Sequence, residues 1–369
     1  MEILKLVANA KGKKASDIHL SCNSPPMIRV DGLLQATDNA IPLTEADVQQ
    51  AFHELSSPDK IDTFYRNLEM DFSYNEPDGT RLRCSVAQQR GSISMTIRIL
   101  TPEVPTIDEL ELPEIYKKFA LMQKGLIVVS GPTGSGKTTT QAAMVQHINL
   151  NASRHILTFE DPIEYSHPSI KSRITQRELG GDTHSMSDAL KHALRLDPDV
   201  IVVGEMRDSE TAAAAISMAE TGHLVITTSH ASYATQTVER IIDLFPHEQR
   251  HLAQMRLASL LSVVLCQTLV PRGDGCGRIA AVEIMQVNSA LRNLIRDGKI
   301  TALANVIRDY RQAGNITLDE ALVNLYRQGI ISIGTVASFC HDSGEVNNLL
   351  TDLMIKPSIV THKPVLPVK

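Results

Sequence analysis

The chain changes its hydrophobic rhythm twice. Over residues 1–100 apolar positions fall in short alternating runs separated by polar turns. The spacing predicts a helix over 3–10 and strands over 17–21, 27–30, 69–74, 81–87 and 92–99. Pro25-Pro26, Asp31-Gly32 and Pro77-Asp78-Gly79 supply the breaks and turns. Thr44, followed three positions on by Asp47, opens a helix that runs to about residue 55. From residue 114 to about 270 the apolar runs become continuous and alternate with helical patterns. Residues 125–130, 155–159, 200–203 and 223–228 read as central parallel strands, with helices at 138–149, 185–196 and 209–221 between them. Beyond residue 282 helical patterns dominate, at 289–297, 302–313, 318–328 and 333–339.

This gives an α/β fold in consecutive parts. An α+β domain covers 1–100, a linker with three prolines covers 101–113, an α/β core covers 114–282 and a helical region covers 283–353. Residues 354–369, with three prolines and little periodicity, are expected to be disordered.

Composition narrows the class. The 369 residues are 43% hydrophobic and 21% charged, enough for two cores. A net charge of −6 and the lack of Trp argue against a nucleic-acid surface, so no nucleic-acid partner is expected. Apolar runs such as 257–265 are interrupted by serine and are too short to span a bilayer. Glu2 and the missing cationic start argue against a signal peptide. The five cysteines, at 22, 84, 266, 276 and 340, form no C-x-x-C pair, so neither a disulfide framework nor a zinc site is indicated. The expected setting is a reducing cytoplasm.

Chemistry enters at the first central strand. It feeds G-x-x-x-x-G-K-T: Gly131, Pro132, Thr133, Gly134, Ser135, Gly136, Lys137 and Thr138. Glycines let backbone N–H groups curl around a phosphate chain, and the following helix turns its positive end to the anion. In this motif Lys137 serves the β/γ-phosphates and the Thr138 hydroxyl serves Mg²⁺.

Three clusters follow later strands, at the edge where open α/β sheets place ligands. Glu160, Asp161 and Glu164 surround a proline turn, and a carboxylate there can orient or deprotonate the attacking water. The run 200–203 leads to Gly204 and Glu205, a Walker B-like acid near metal and water, followed by Arg207 and Asp208. His230 lies just past another central strand, in reach of a γ-phosphate. In the first domain Arg81, Arg83, Arg90 and Arg98 form a cationic set, Arg81 and Arg83 sharing one face at period two. Some of these can act as arginine fingers on a nucleotide held by a neighbouring subunit.

Together these motifs resemble the secretion ATPase superfamily, most closely the type IV pilus retraction ATPases of the PilT/PilU type. The resemblance spans residues 1 to about 350. It rests on Ala15-Ser-Asp-Ile-His-Leu20, Gly131–Thr138, Glu160-Asp-Pro-Ile-Glu164, Gly204-Glu-Met-Arg-Asp208, the stretch from Ala219 to His230, and Ala290–Lys299. It implies a PAS-like N-terminal domain, a RecA-like ATPase domain and a homohexameric ring that hydrolyses ATP with Mg²⁺ to drive pilus retraction and twitching. Implied partners are an inner-membrane platform protein and a paralogous pilus ATPase, with the motor held peripherally at that membrane. By motif match Glu164 is the catalytic carboxylate, Glu205 the Walker B acid and metal-side residue, and His230 the His-box residue. Arg81, Arg83 and Arg98 are the arginines that reach phosphate. The His box here reads Thr228-Ser-His-Ala231 where the family usually has T-L-H-T. A secretion or DNA-uptake ATPase with the same site, and a non-hydrolysing accessory subunit, are the alternatives.

Overall fold

The computed structural model describes residues 2–30, 32–38, 41–100, 103–310 and 314–355. Contacts divide the chain into two units. One is Met1–Val104 with Pro162–His167, and the other is Pro105–Asp161 with Pro168–Lys369.

The first unit is an antiparallel sheet covered by helices. Its strands are β1 (Asp17–Ser21), β2 (Met27–Val30), β3 (Leu33–Ala36), β4 (Glu69–Asn75), β5 (Arg81–Gln89) and β6 (Ser92–Leu100), in the order β3-β2-β1-β6-β5-β4. The helices are α1 (Ile3–Gly12), α2 (Glu45–Leu55) and α3 (Pro58–Asn67). One row of cross-strand partners, Phe72, Cys84, Ile97, Ile18 and Ile28, is buried and belongs to the core with Phe52 and Phe64. Those two helical rings meet edge to face, centroids 5.0 Å apart. The capping box expected at α2 is formed: Asp47 N–H donates to Thr44 Oγ1 at 3.2 Å and Thr44 N–H to Asp47 Oδ2 at 2.9 Å. Two elements of this unit go beyond those predicted from the sequence. All four β3 residues are exposed, and α3 buries only Phe64.

The second unit contains α4 (Ile115–Ala120), β7 (Gly125–Ser130), α5 (Lys137–Asn151), β8 (His155–Glu160), β9 (Arg173–Glu178), α6 (Met186–Ala193), β10 (Val200–Val203), α7 (Ser209–Glu220) and β11 (Leu224–Ser229). It continues with α8 (Ala234–Asp243), α9 (His247–Leu260), β12 (Leu261–Pro271), β13 (Arg278–Gln286), α10 (Ser289–Arg296), α11 (Leu303–Asp309), α12 (Leu318–Arg327), α13 (Ile333–Phe339) and α14 (Ser343–Ile355). The sheet order is β13-β12-β7-β11-β10-β8-β9, parallel throughout except for β13.

Continuous apolar runs form these strands because both sheet faces are covered. Along each central strand alternate residues enter different cores. Leu126, Val128, Ile201, Val203 and Val225 lie in one cluster, and Ile127, Val129, Val200, Val202 and Ile226 in the other. A further cluster packs Leu318, Leu322, Val336 and Val346 of the C-terminal helices on Val270 and Ile279 of the β12–β13 hairpin.

The second unit also departs from sequence expectation where periodicity is mixed. The apolar run 257–265 is split, because α9 ends at Leu260 and β12 starts at Leu261. The edge strand β9 carries Thr175, Gln176 and Arg177 and buries no residue, so it reads as loop. Within 101–113, residues from Pro105 belong to the second unit, where Ile107 and Leu112 are buried in its core. The helix expected over 302–313 is Leu303–Asp309, and residues 311–313 lie outside the described set. Of the tail expected to be disordered, residues 356–369 likewise lie outside the described set.

Candidate active site

The phosphate loop hangs between β7 and α5, and its shape is fixed from below by β12. Gly131 has φ +144°, and a Cβ there would stand 2.3 Å from the Gln267 carbonyl oxygen, so only glycine fits. Gln267, 2% exposed on β12, donates Nε2–H to the Ser135 carbonyl at 2.7 Å and accepts the Thr140 hydroxyl at 2.9 Å. Loop and first helical turn are thus held by one buried amide. Gln141, also buried, donates to the carbonyls of Val203 (3.2 Å) and Ile226 (3.4 Å), tying α5 to the end of β10 and the middle of β11.

Adjacent parallel strands deliver the acidic and basic side chains to the same edge. Gly204 follows β10, and a Cβ there would come within 3.3 Å of the Phe159 carbonyl oxygen, so glycine lets the chain pass close to β8. Glu205 comes next. His230 follows β11, and its neighbour Ala231 is locked by Ser130, whose Oγ donates to the Ala231 carbonyl (2.7 Å) and accepts its N–H (3.1 Å).

These residues form one polar chain. Lys137 Nζ donates to the loop carbonyls of Gly131 (2.8 Å) and Pro132 (3.0 Å) and lies 3.3 Å from His230 Nδ1. His230 Nε2 is 3.0 Å from Glu205 Oε1. Arg207 Nε donates to Glu205 Oε2 at 2.8 Å, and its Nη1 reaches Asp161 Oδ2 at 3.1 Å. The imidazole thus stands between an ammonium at Nδ1 and a carboxylate at Nε2, bridging the two. Burial resists ionisation of Glu205, but the hydrogen bond from Arg207, with His230 and the Arg207 charge adding to it, holds the carboxyl below its usual range. Burial lowers the Lys137 pKa, and the Glu205 charge partly opposes it.

The other expected residues separate by role. Asp208 caps α7, its Oδ1 accepting the Thr211 N–H at 2.8 Å. Glu160 accepts from Thr158 (2.6 Å) and Gln176 (3.0 Å), a structural bond across β8 and β9. Glu164 lies on Pro162–His167, the segment that groups with the first unit. In that unit Asp17, Arg98 and Arg83 are successive cross-strand partners, with Arg29 opposite Asp17 on its other side. Arg98 Nε donates to Asp17 Oδ1 at 2.9 Å, and Arg29 Nε is 3.9 Å from Asp17 Oδ2. Burial works against the Asp17 charge, yet the hydrogen bonds from Arg98 and Ser16 leave its pKa lowered. Arg83 faces Arg98 directly, a like-charge pair that costs stability unless an anion joins it. Arg81 donates to Asn75 Oδ1 at 3.3 Å.

Sequence reasoning missed Gln267 and Gln141. The signal for Gln267 was present: a single amide inside the apolar run of β12 must be buried, and a buried amide must be hydrogen-bonded. Gln141 carries no such mark, since α5 is nearly uniform in polarity around it.

The family model for type II/IV secretion system proteins matches residues 3–337. The chain is 42% identical to the type IV pilus retraction ATPase PilT of Pseudomonas aeruginosa, covering 90% of this chain and 96% of that one. It is 38% identical to the type IV pilus ATPase PilU of the same organism, covering 90% and 87%. Among solved structures it resembles the pilus retraction motor PilT with bound ADP, at TM-score 0.88 and 39% identity over 94% of this chain and 99% of that one. A phosphate loop wired through histidine to a strand-end glutamate, in a chain matched almost end to end, places this protein in the type II/IV secretion system protein family, the secretion ATPases.

Proposed function

We propose that this chain is the subunit of a ring-shaped, most simply hexameric, ATPase motor that drives type IV pilus retraction. The observation that carries the reading is the Lys137–His230–Glu205–Arg207–Asp161 chain, which joins the phosphate loop to acids on two neighbouring strands. Its likeness to PilT and PilU over nine-tenths of its length supplies the pilus setting. An inner-membrane platform protein and a paralogous pilus ATPase are the proposed partners, with the ring peripheral at the membrane. No helix among the described residues is long and apolar enough to cross one.

In this reading the N–H groups of Gly131–Thr138 and the positive end of α5 cradle the phosphates of ATP. A γ-phosphate draws the Lys137 ammonium off the loop carbonyls, and the change is felt at His230 and so at Glu205. Glu164 orients the water that attacks the γ-phosphorus as its bond to the ADP oxygen breaks. Arg81, Arg83 and Arg98 of a neighbouring subunit neutralise charge on the transferring group, which relieves the Arg83–Arg98 repulsion.

The donor set fits Mg²⁺ carried in on the phosphates. Among the described residues no His, Cys, Asp and Glu group could hold a metal by itself. The Thr138 hydroxyl is a hard oxygen donor at the start of α5. Glu205, with both oxygens engaged by His230 and Arg207, would add negative charge on the metal side of the site. The ion would supply charge neutralisation at the β/γ-phosphates.

Lys137→Ala is expected to lose ATP binding and Glu205→Gln to bind ATP but turn over about 100-fold more slowly or worse, both with unchanged circular dichroism. Steady-state phosphate release and equilibrium nucleotide binding check this, and wild-type turnover in either variant refutes hydrolysis at this site. A chain with no turnover even as an assembled ring is instead an accessory subunit.

Removing Arg207 leaves burial of Glu205 less opposed, so its folded-state pKa rises. The carboxylate is then lost at higher pH, and the acid limb of the turnover profile shifts upward in Arg207→Ala. An unshifted limb rules out this electrostatic role. For the arginines, mixing Lys137→Ala with Arg83→Ala chains should restore part of the activity each lacks alone. Failure of mixed rings to hydrolyse ATP argues against a shared site. Deleting the gene should leave cells with excess surface pili and no twitching, whereas a pure defect in secretion or DNA uptake points to the sister function.

A further inference from the structure

We propose that a cavity between α8, β13 and the C-terminal helices binds an alkylammonium group, with Glu283 as its counter-ion. The cavity holds about 200 Å³, and Tyr233, Glu283, Arg308, Asp319, His341 and Glu345 line it. That is room for roughly six water-sized groups at ~30 Å³ each, the size of a short aliphatic diamine.

The charge inside is unbalanced. Glu283 is 7% exposed; its Oε2 accepts the Ala234 N–H at 3.2 Å, and its Oε1 has no hydrogen-bond partner among the described residues. Asp319, 3% exposed, takes the backbone N–H groups of His341 (2.7 Å) and Asp342 (2.8 Å). The arginine in the lining is already paired, since Arg308 Nε binds Glu345, also in the lining, at 2.8 Å and Nη2 lies 3.6 Å from Asp342. Beyond the Arg308–Glu345 pair, the buried carboxylates of Glu283 and Asp319 face the cavity with backbone N–H groups as their hydrogen-bond partners and the positive end of α8 beside Glu283, an excess of negative charge that a cation completes.

The walls say which cation. A metal is disfavoured, because no group of His, Cys, Asp and Glu among the described residues could hold one. Tyr233 and His341 pack with ring centroids 4.4 Å apart and offer an aromatic wall suited to methylenes and to an ammonium.

A proton is the rival occupant. Burial pushes the Glu283 carboxyl up to about 7; the Ala234 N–H opposes this, and Asp319 and Glu345 add to it. The groups facing it are Tyr233 before α8, Arg308 of α11, Asp319 of α12, His341 before α14 and Glu345 of α14. Ammonium binding requires the carboxylate, so affinity is full above that pKa and falls as pH drops through it. The ammonium has two sources, a free diamine or a lysine of residues 356–369, which include Lys356, Lys363 and Lys369 and no acid.

The test is calorimetric titration of 1,4-diaminobutane into the full chain. One site per chain is expected at pH 8, weaker by about tenfold at pH 6, lost in Glu283→Gln and not reproduced by the neutral 1,4-butanediol. If wild type takes no diamine but the triple Lys356→Gln, Lys363→Gln, Lys369→Gln chain does, the natural occupant is the chain's own lysine. No binding at pH 8 to either chain overturns the proposal. So does equal binding of the diol, which needs no variant to fold.

Discussion

The structure turns on keeping one half-buried carboxylate, Glu205, ionised beside a phosphate site. Burial alone would favour its neutral form, and like charge from an incoming triphosphate would push the same way. Arg207 prevents this by binding Glu205 on one side and Asp161 on the other, so a single guanidinium serves acids that follow two different strands. His230 closes the opposite side and connects the acid to Lys137. With a ring nitrogen on each side, the imidazole links cation and anion directly. The loop lysine and the strand-end glutamate are thereby joined through one imidazole.

That junction depends on the parallel sheet. Strands buried on both faces leave polar chemistry nowhere to go but their ends. β7, β8, β10 and β11 are neighbours in the sheet, so their carboxyl ends bring Lys137, Asp161, Glu205 and His230 together although the sequence spreads them widely. β12 contributes from the other side. Gln267 holds the loop by its carbonyl, through Gly131, and by its side chain, through Ser135 and Thr140.

The first unit solves a different electrostatic problem. Its sheet puts apolar residues on the helix-covered face and the row Arg29, Asp17, Arg98, Arg83 on the other. Asp17 pairs with Arg98 and lies near Arg29, so the row carries more cations than carboxylates. The cavity around Glu283 has the opposite bias, with carboxylates exceeding cations. Glu283 also holds the N-terminus of α8, the helix that begins just after His230.

The sequence by itself determined the chemistry-bearing segments and the strands beneath them. A glycine-rich loop and continuous apolar runs are local signals, because backbone reach and two-sided burial constrain each residue where it stands. It also marked Glu205 and His230, since an acid or histidine just past a buried strand has few other places to be. It could not mark Gln267 as the loop's support, Arg207 as the bridge or Glu283 as a cavity acid. Each of those roles exists only between strands far apart in the chain, and only strand order and register decide which side chains meet. Elements with no fully buried residue, such as β3 and β9, were silent for a related reason: no alternation of buried and exposed positions recorded them. What the tertiary structure decided was pairing, and pairing is what joins the glycine-rich loop to Glu205, Arg207 and Asp161.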